Sequence, residues 1–152
     1  MKKTSIIIKN TSMKKDTSIG IIIFRKTKKT ITYLIIKHSK GHWAFPKGHR
    51  NIGEKAIDTA LREIYEETGI NKINLVSPKI MLREHYIIKD NKDRILKTVQ
   101  YFIAKTSQRK VKIDGKEIVN YRWCPFDEAI ELITFSEAKK ILKKAHKLIS
   151  TL

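Results

Sequence analysis

"GHRNIGEKAIDTALREIYEETGI", residues 48–70, gathers acid in a chain that is otherwise strongly basic. Ile57, Ala60, Leu61 and Ile64 recur at i, i+3, i+4 and i+7, which predicts a helix over 54–68 with these four side chains buried. Gly69 follows as its C-terminal cap, because glycine enters the left-handed conformation without a Cβ penalty. On that helix Glu63, Glu66 and Glu67 stand at i, i+3 and i+4, mostly away from the apolar stripe. Like charges at this spacing cost a helix roughly 0.2–0.5 kcal/mol per pair. They also crowd the negative end of the helix macrodipole. A divalent cation resolves the conflict, since Mg²⁺ takes oxygen ligands and bridges carboxylates to phosphates. A solvated acidic face paired with nearby lysines resolves it too, and the cluster alone does not separate the two readings.

Working outward, "IGIIIF" (19–24) and "ITYLIIK" (31–37) are β-branched runs split by polar "RKTKKT", which predicts a hairpin. "GHWAFPKGHRNIG" (41–53) is a loop marked by glycine and proline, whose Trp43 and Phe45 are expected to pack around it. Beyond the helix, 73–76, 80–89, 95–105 and 116–123 read as strands, with "DNKDR" (90–94) as a turn. A short helix is predicted over 126–133 and a longer one over 136–150, with Ser136 as its N-cap. Ala138, Ile141, Leu142, Ala145, Leu148 and Ile149 form the apolar stripe of the longer helix. Its other face carries Lys139, Lys140, Lys143, Lys144 and Lys147, the pattern of a covering helix with a solvated side or of a polyanion-binding one. Residues 1–16 read as a leader and 17–152 as one α/β layered domain, with no linker or repeat dividing it.

Composition bounds the function. The chain has 152 residues, 41% of them hydrophobic, which suits one globular domain with a single core. The formal net charge of +18 favours nucleotides, polyphosphates or RNA as partners. The apolar part of "MKKTSIIIKN" is too short for a secretory signal, and no run is long enough to span a bilayer, so a cytoplasmic protein without membrane contact is expected. Cys124 is the single cysteine, which excludes an internal disulfide and a thiolate metal cluster and reads as a packed small residue.

The spacing around the acids is more specific than the acids themselves. From Gly48 through Glu54 to "REIYEETGI" (62–70), the segment resembles the signature of the Nudix hydrolases at every defined position. The order of the flanking strands is similar as well, so the resemblance implies a Nudix-type α/β/α sandwich with a mixed central sheet, covering about residues 17–150. It implies metal-dependent hydrolysis of a nucleoside diphosphate linked to another moiety, with Mg²⁺ or Mn²⁺ as cofactor. Glu63, Glu66 and Glu67 would hold the metal, and one of them would take a proton from the attacking water. Gly48 would add its carbonyl, Arg62 would orient the carboxylates, and Glu54 would support Arg62.

"HSKGHWAFPKGHRNIGE", "KTVQYFIAK" and the tail from Lys116 resemble, more loosely, the asymmetrical diadenosine tetraphosphate hydrolases of that family. By that resemblance Glu117 would be a distal metal ligand or base, His42, Lys47 and Lys97 would contact phosphates, and Tyr86 and Tyr121 would stack on adenine. The expected reaction is cleavage of diadenosine tetraphosphate to ATP and AMP by a monomer. RNA 5′-pyrophosphohydrolysis and sanitising of nucleoside triphosphates are the alternative activities. A non-catalytic binding module is disfavoured, because the full set of carboxylates is present.

Overall fold

The computed structural model describes residues 13–152. Its central strand, β1 (Lys14–Lys26), turns at residues 27–30 into β2 (Ile31–His38), the expected antiparallel hairpin. Two short strands follow, β3 (Trp43–Ala44) and β4 (Lys47–Gly48), then helix α1 (Ala56–Thr68). β5 (Asn74–Leu75), β6 (Leu82–Asp90), β7 (Asp93–Lys105) and β8 (Ile118–Pro125) precede α2 (Phe126–Leu132) and α3 (Ser136–Ser150). The sheet runs β3-β2-β1-β7-β5, with β4 on β1, β6 on β7 and β8 on β2. β1 and β7 are parallel while the other pairs are antiparallel, so the sheet is mixed.

Both faces of β1 are covered, which explains its unbroken apolar run. Ile19, Ile21 and Ile23 pack with Leu34, Ile36 and Phe102 beneath Ala60 and Ile64 of α1. Ile22 and Phe24 point the other way, into a core closed by Ala129 of α2 and Ile141, Leu142, Ala145 and Ile149 of α3. The result is an α/β/α sandwich. Phe45 and Cys124 are buried and Trp43 packs at the core's edge, as their sequence context predicts.

Several expectations need correction. β1 opens at Lys14 rather than Ile19, so Lys14, Lys15 and Asp16 belong to the sheet and not to a leader. Their partners are Ile95, Leu96 and Lys97 of β7, a pairing about 80 positions away that local composition does not display. Residues 1–12 of that expected leader lie outside the described residues. The buried line of α1 is Thr59, Ala60, Ile64, Glu67 and Thr68, while Leu61 is 37% exposed. The helix is therefore rotated toward its acids, because it docks against β1 and β4 along that edge. Ser136 is the first residue of α3 and Phe135 stands at the cap, with no side-chain cap hydrogen bond. Leu148 is exposed at the end of the α3 stripe. Among the described residues no helix is long and apolar enough to cross a membrane.

Candidate active site

Arg62 organises the acidic edge of α1. Its Nε donates to Glu54 Oε2 at 2.7 Å, and its Nη2 donates to Glu54 Oε1 at 3.0 Å and to the His49 carbonyl at 2.8 Å. Nη1 donates to Glu63 Oε1 at 2.8 Å and reaches both Glu66 oxygens at 3.4 Å. Glu54 also accepts the Asn51 N–H and the Thr59 hydroxyl. The Arg62 guanidinium, helped by Asn51, holds the Glu54 carboxyl down at about 2. One bidentate pair thus ties the loop before α1 to its middle turn.

Gly48 presses its backbone against Glu63: a Cβ added there would lie 2.0 Å from the Glu63 carboxyl carbon. Next to it, the Lys47 N–H donates to Glu67 Oε1 at 3.0 Å. Gly69 caps α1 in the left-handed conformation at φ 71°, its N–H donating to the Tyr65 carbonyl at 2.8 Å. Glu63, Glu66, Glu67 and Glu117 line one cavity of about 420 Å³ together with Gly48 and Arg62. Glu117 is brought there from the loop before β8, where the Asp114 carboxylate accepts three successive backbone N–H groups, that of Glu117 among them.

The carboxylates in this cavity are unequally compensated. Glu67 is 6% exposed, and burial first, then Glu63, pushes its carboxyl up to about 8 against the opposing Lys47 N–H. Burial also raises Glu63, although Arg62 offsets part of that. No three acidic or imidazole side chains among the described residues converge on one point as they stand, since Arg62 is inserted between Glu54, Glu63 and Glu66. The donor set still fits a hard divalent cation. It offers only carboxylate oxygens beside a side-chain-free backbone approach, and Glu67 has no cationic partner among the described residues.

A second cavity, of about 400 Å³, lies on the α3 side of the sheet, lined by His42, Glu84, Tyr86, Phe135 and Ala138 among others. Lys47, Tyr86 and Lys97 line both cavities. Tyr86 stands opposite Lys97 across β6–β7, and Asp16 stands opposite the same lysine across β1–β7. Lys97 is held by Asp16, which also accepts from His49 Nε2 at 2.7 Å, and Lys97 first holds the Asp16 carboxyl below its usual range. His42 is stacked on His38 with centroids 4.2 Å apart and planes 15° apart, and Phe135 tilts against it at 5.5 Å. Burial, then the charge of His42, lowers His38 to about 4, so this ring is neutral at physiological pH.

Of the residues expected at the site, Tyr121 is the one the fold takes elsewhere. It packs against the core beneath α1 and lines neither cavity, because β8 presents alternate side chains to opposite faces. Asp16, His38, Glu84 and Phe135 escaped the sequence reading. Glu84 is 7% exposed and accepts the Tyr101 O–H at 2.7 Å. A charged residue alternating with Arg83 and His85 on a strand gives no local sign of such burial. Phe135 offered a signal, an aromatic left over between two helices.

The sequence matches the NUDIX domain family over residues 14–145. It is similar to the asymmetrical bis(5′-nucleosyl)-tetraphosphatase of Rattus norvegicus, with 37% identity over 139 residues, covering 86% of this chain and 92% of the relative. The enzyme of the same description from Sus scrofa is 33% identical over 142 residues, covering 88% and 95%. Among solved structures, a binary complex of the C. elegans Ap4A hydrolase superposes with a TM-score of 0.76 at 26% identity, covering 90% of this chain and 98% of that one.

Proposed function

Because this chain belongs to the NUDIX domain family, we propose that it hydrolyses a dinucleoside polyphosphate, with diadenosine tetraphosphate cleaved to ATP and AMP. One observation carries the reading. Lys47, Tyr86 and Lys97 border both the acidic cavity and the cavity beside α3, so one ligand can lay phosphates in the first and a base in the second. The cavity of about 400 Å³ suits a nucleoside, with the Tyr86 and Phe135 rings available for stacking. Lys47, Lys97 and His42 stand along the polyphosphate path between the two. The same activity in the mammalian relatives supports this choice.

In this reading Glu63, Glu66, Glu67, Glu117 and the Gly48 carbonyl hold Mg²⁺ or Mn²⁺. When bound, the cation neutralises the polyphosphate, lowers the pKa of water and stabilises the leaving phosphate oxygen. Arg62 keeps the acids in place through its bond to Glu63 and its clamp on Glu54. The Lys47 N–H fixes one oxygen of Glu67, leaving the other available to take a proton from the attacking water. Water attacks one phosphorus, the bridging P–O bond breaks, and one water is consumed for each ATP and AMP released. We take a monomer acting in the cytoplasm as part of this reading.

Product analysis over diadenosine polyphosphates, oxidised nucleoside triphosphates, nucleotide sugars and 5′-triphosphorylated RNA tests the proposal. ATP and AMP in equal amounts from diadenosine tetraphosphate are expected, with that substrate preferred. ADP as the only product, or faster turnover of RNA, would refute it.

A further inference from the structure

A third cleft, of about 460 Å³, lies away from both cavities and shares no lining residue with either. Its wall is the turn between β1 and β2, which contributes Lys26, Lys28 and Lys29, and its floor includes Phe126 and His146. The turn is a fixed platform. Thr27 Oγ1 accepts the N–H groups of Lys29 and Thr30, and the Thr27 N–H donates to the Thr30 carbonyl at 2.9 Å. Lys26 Nζ donates to the Leu152 carbonyl at 3.0 Å, tying the turn to the end of α3. Lys28 and Lys29 have no ion-pair partner among the described residues. Asp127 is the single acid in the lining, against three lysines.

The floor is set as firmly as the wall. His146 stacks on Phe126 with centroids 4.1 Å apart and planes 17° apart. His146 Nδ1 lies 2.7 Å from the hydroxyl of Tyr33, a side chain with no exposure at all. Burial raises the Tyr33 hydroxyl above its ordinary range, so it keeps its proton, and Nδ1 is its partner among the described residues. A buried O–H without an acceptor costs about 1–3 kcal/mol, so the hydroxyl donates to Nδ1. With Nδ1 accepting, Nε2 carries a ring proton and is an N–H donor at the cleft. α3 also exposes Lys143 and Lys147, which share the helix face of the lining residues His146 and Ser150 by i, i+3, i+4 and i+7 spacing.

We propose that this cleft is a second anion site, which takes the phosphate of a nucleotide on Lys28, Lys29 and His146 with the nucleoside against the Phe126–His146 rings. Ammonium and imidazole donors to a phosphate make charge-assisted hydrogen bonds, and a flat ring pair accepts any base. The source is either a free nucleotide or a nucleotide within single-stranded RNA, which share this chemistry. The site is independent of the hydrolytic one, so it stands whatever the substrate of the acidic cavity.

Amide and imidazole NMR shifts of the full chain in EDTA, titrated with AMP and separately with a short single-stranded RNA, test it. Saturable shifts at residues 27–31 and at the His146 ring are expected, separate from those at His42 and Lys47. A Lys28→Gln/Lys29→Gln variant should weaken the first set about tenfold, through lost charge-assisted bonds, and leave the second set and the hydrolysis rate unchanged. Response to AMP identifies a free-nucleotide site, and response to RNA alone with a steep salt dependence identifies a nucleic-acid one. If neither probe shifts residues 27–31, or if the variant binds as tightly as the parent, the cleft is not an anion site. Unchanged hydrolysis guards against a folding artefact in the variant.

Discussion

Gly48 has no room for a side chain, since any Cβ there would overlap the Glu63 carboxyl. Gly48→Ala should displace the Glu63 carboxylate and lower activity by at least about tenfold, at little cost in stability, because the Cβ would meet the end of a side chain that can swing aside. Paired activity assays and urea melts check both, and wild-type activity would show that the glycine is not needed for close approach. Glu67 is the second test at this scale. Its carboxyl sits near 8 in the fold against an ordinary 4.5, so between those pH values the folded state holds a proton that the unfolded chain has lost. In EDTA, stability should therefore fall as pH rises from about 4.5 to about 8 on account of this group, and Glu63 acts in the same direction. Glu67→Gln keeps the acceptor for the Lys47 N–H and removes the charge, so it should flatten that slope and be as stable as the parent or more so. Saturating Mg²⁺ should stabilise the parent by about 2.7 kcal/mol at 100 times its Kd, and the variant by less. The variant should lose about 10²–10⁴ in rate if Glu67 takes the proton. A parent whose melting midpoint ignores both Mg²⁺ and pH would remove the cation account of the acidic cluster.

At the scale of elements, α1 shows what local pattern can and cannot convey. Its span and its glycine cap were legible, because apolar spacing and the left-handed requirement are properties of neighbouring residues. Its orientation was not. The i, i+3, i+4 stripe placed Leu61 inside, whereas docking on β1 and β4 turns Thr59, Glu67 and Thr68 inward instead. The family signature revealed the acids and Arg62, yet not the partners that assemble through the sheet. Asp16 meets Lys97 only because β1 and β7 pair in parallel, and Glu84 meets Tyr101 only once β6 folds onto β7. Tyr121 went astray for a related reason, since choosing between the faces of β8 needs its register with β2. The rotation of α1 makes a simple comparison decisive. Ile64→Ala should cost about 2–5 kcal/mol, as a fully buried side chain leaves a cavity. Leu61→Ala, more than a third exposed, should cost far less. Equal losses in denaturant titrations would mean that the stripe read from spacing alone is the buried one.

For the whole molecule, the question is whether 33 basic residues against 15 acidic ones serve the reaction or merely solvate the surface. On the proposed reading Lys47 and Lys97, which line both cavities, would meet the phosphates at hydrogen-bonding range, where salt screens only weakly. The exposed lysines of α3, such as Lys143 and Lys144, line neither cavity and act on a substrate only through the long-range field. That field reaches about 10 Å at 0.1 M salt and about 3 Å at 1 M, and it accelerates capture of a polyanion without touching chemistry. If it steers substrate, kcat/KM should fall steeply as salt rises while kcat stays level. A Lys143→Gln/Lys144→Gln variant should then be about twofold slower in kcat/KM at low salt, by loss of long-range attraction, and indistinguishable from the parent at high salt. Lys97→Gln should remain impaired at both, because its contact is local. Parent and α3 variant giving superimposable salt curves would mean that this face does not steer the substrate.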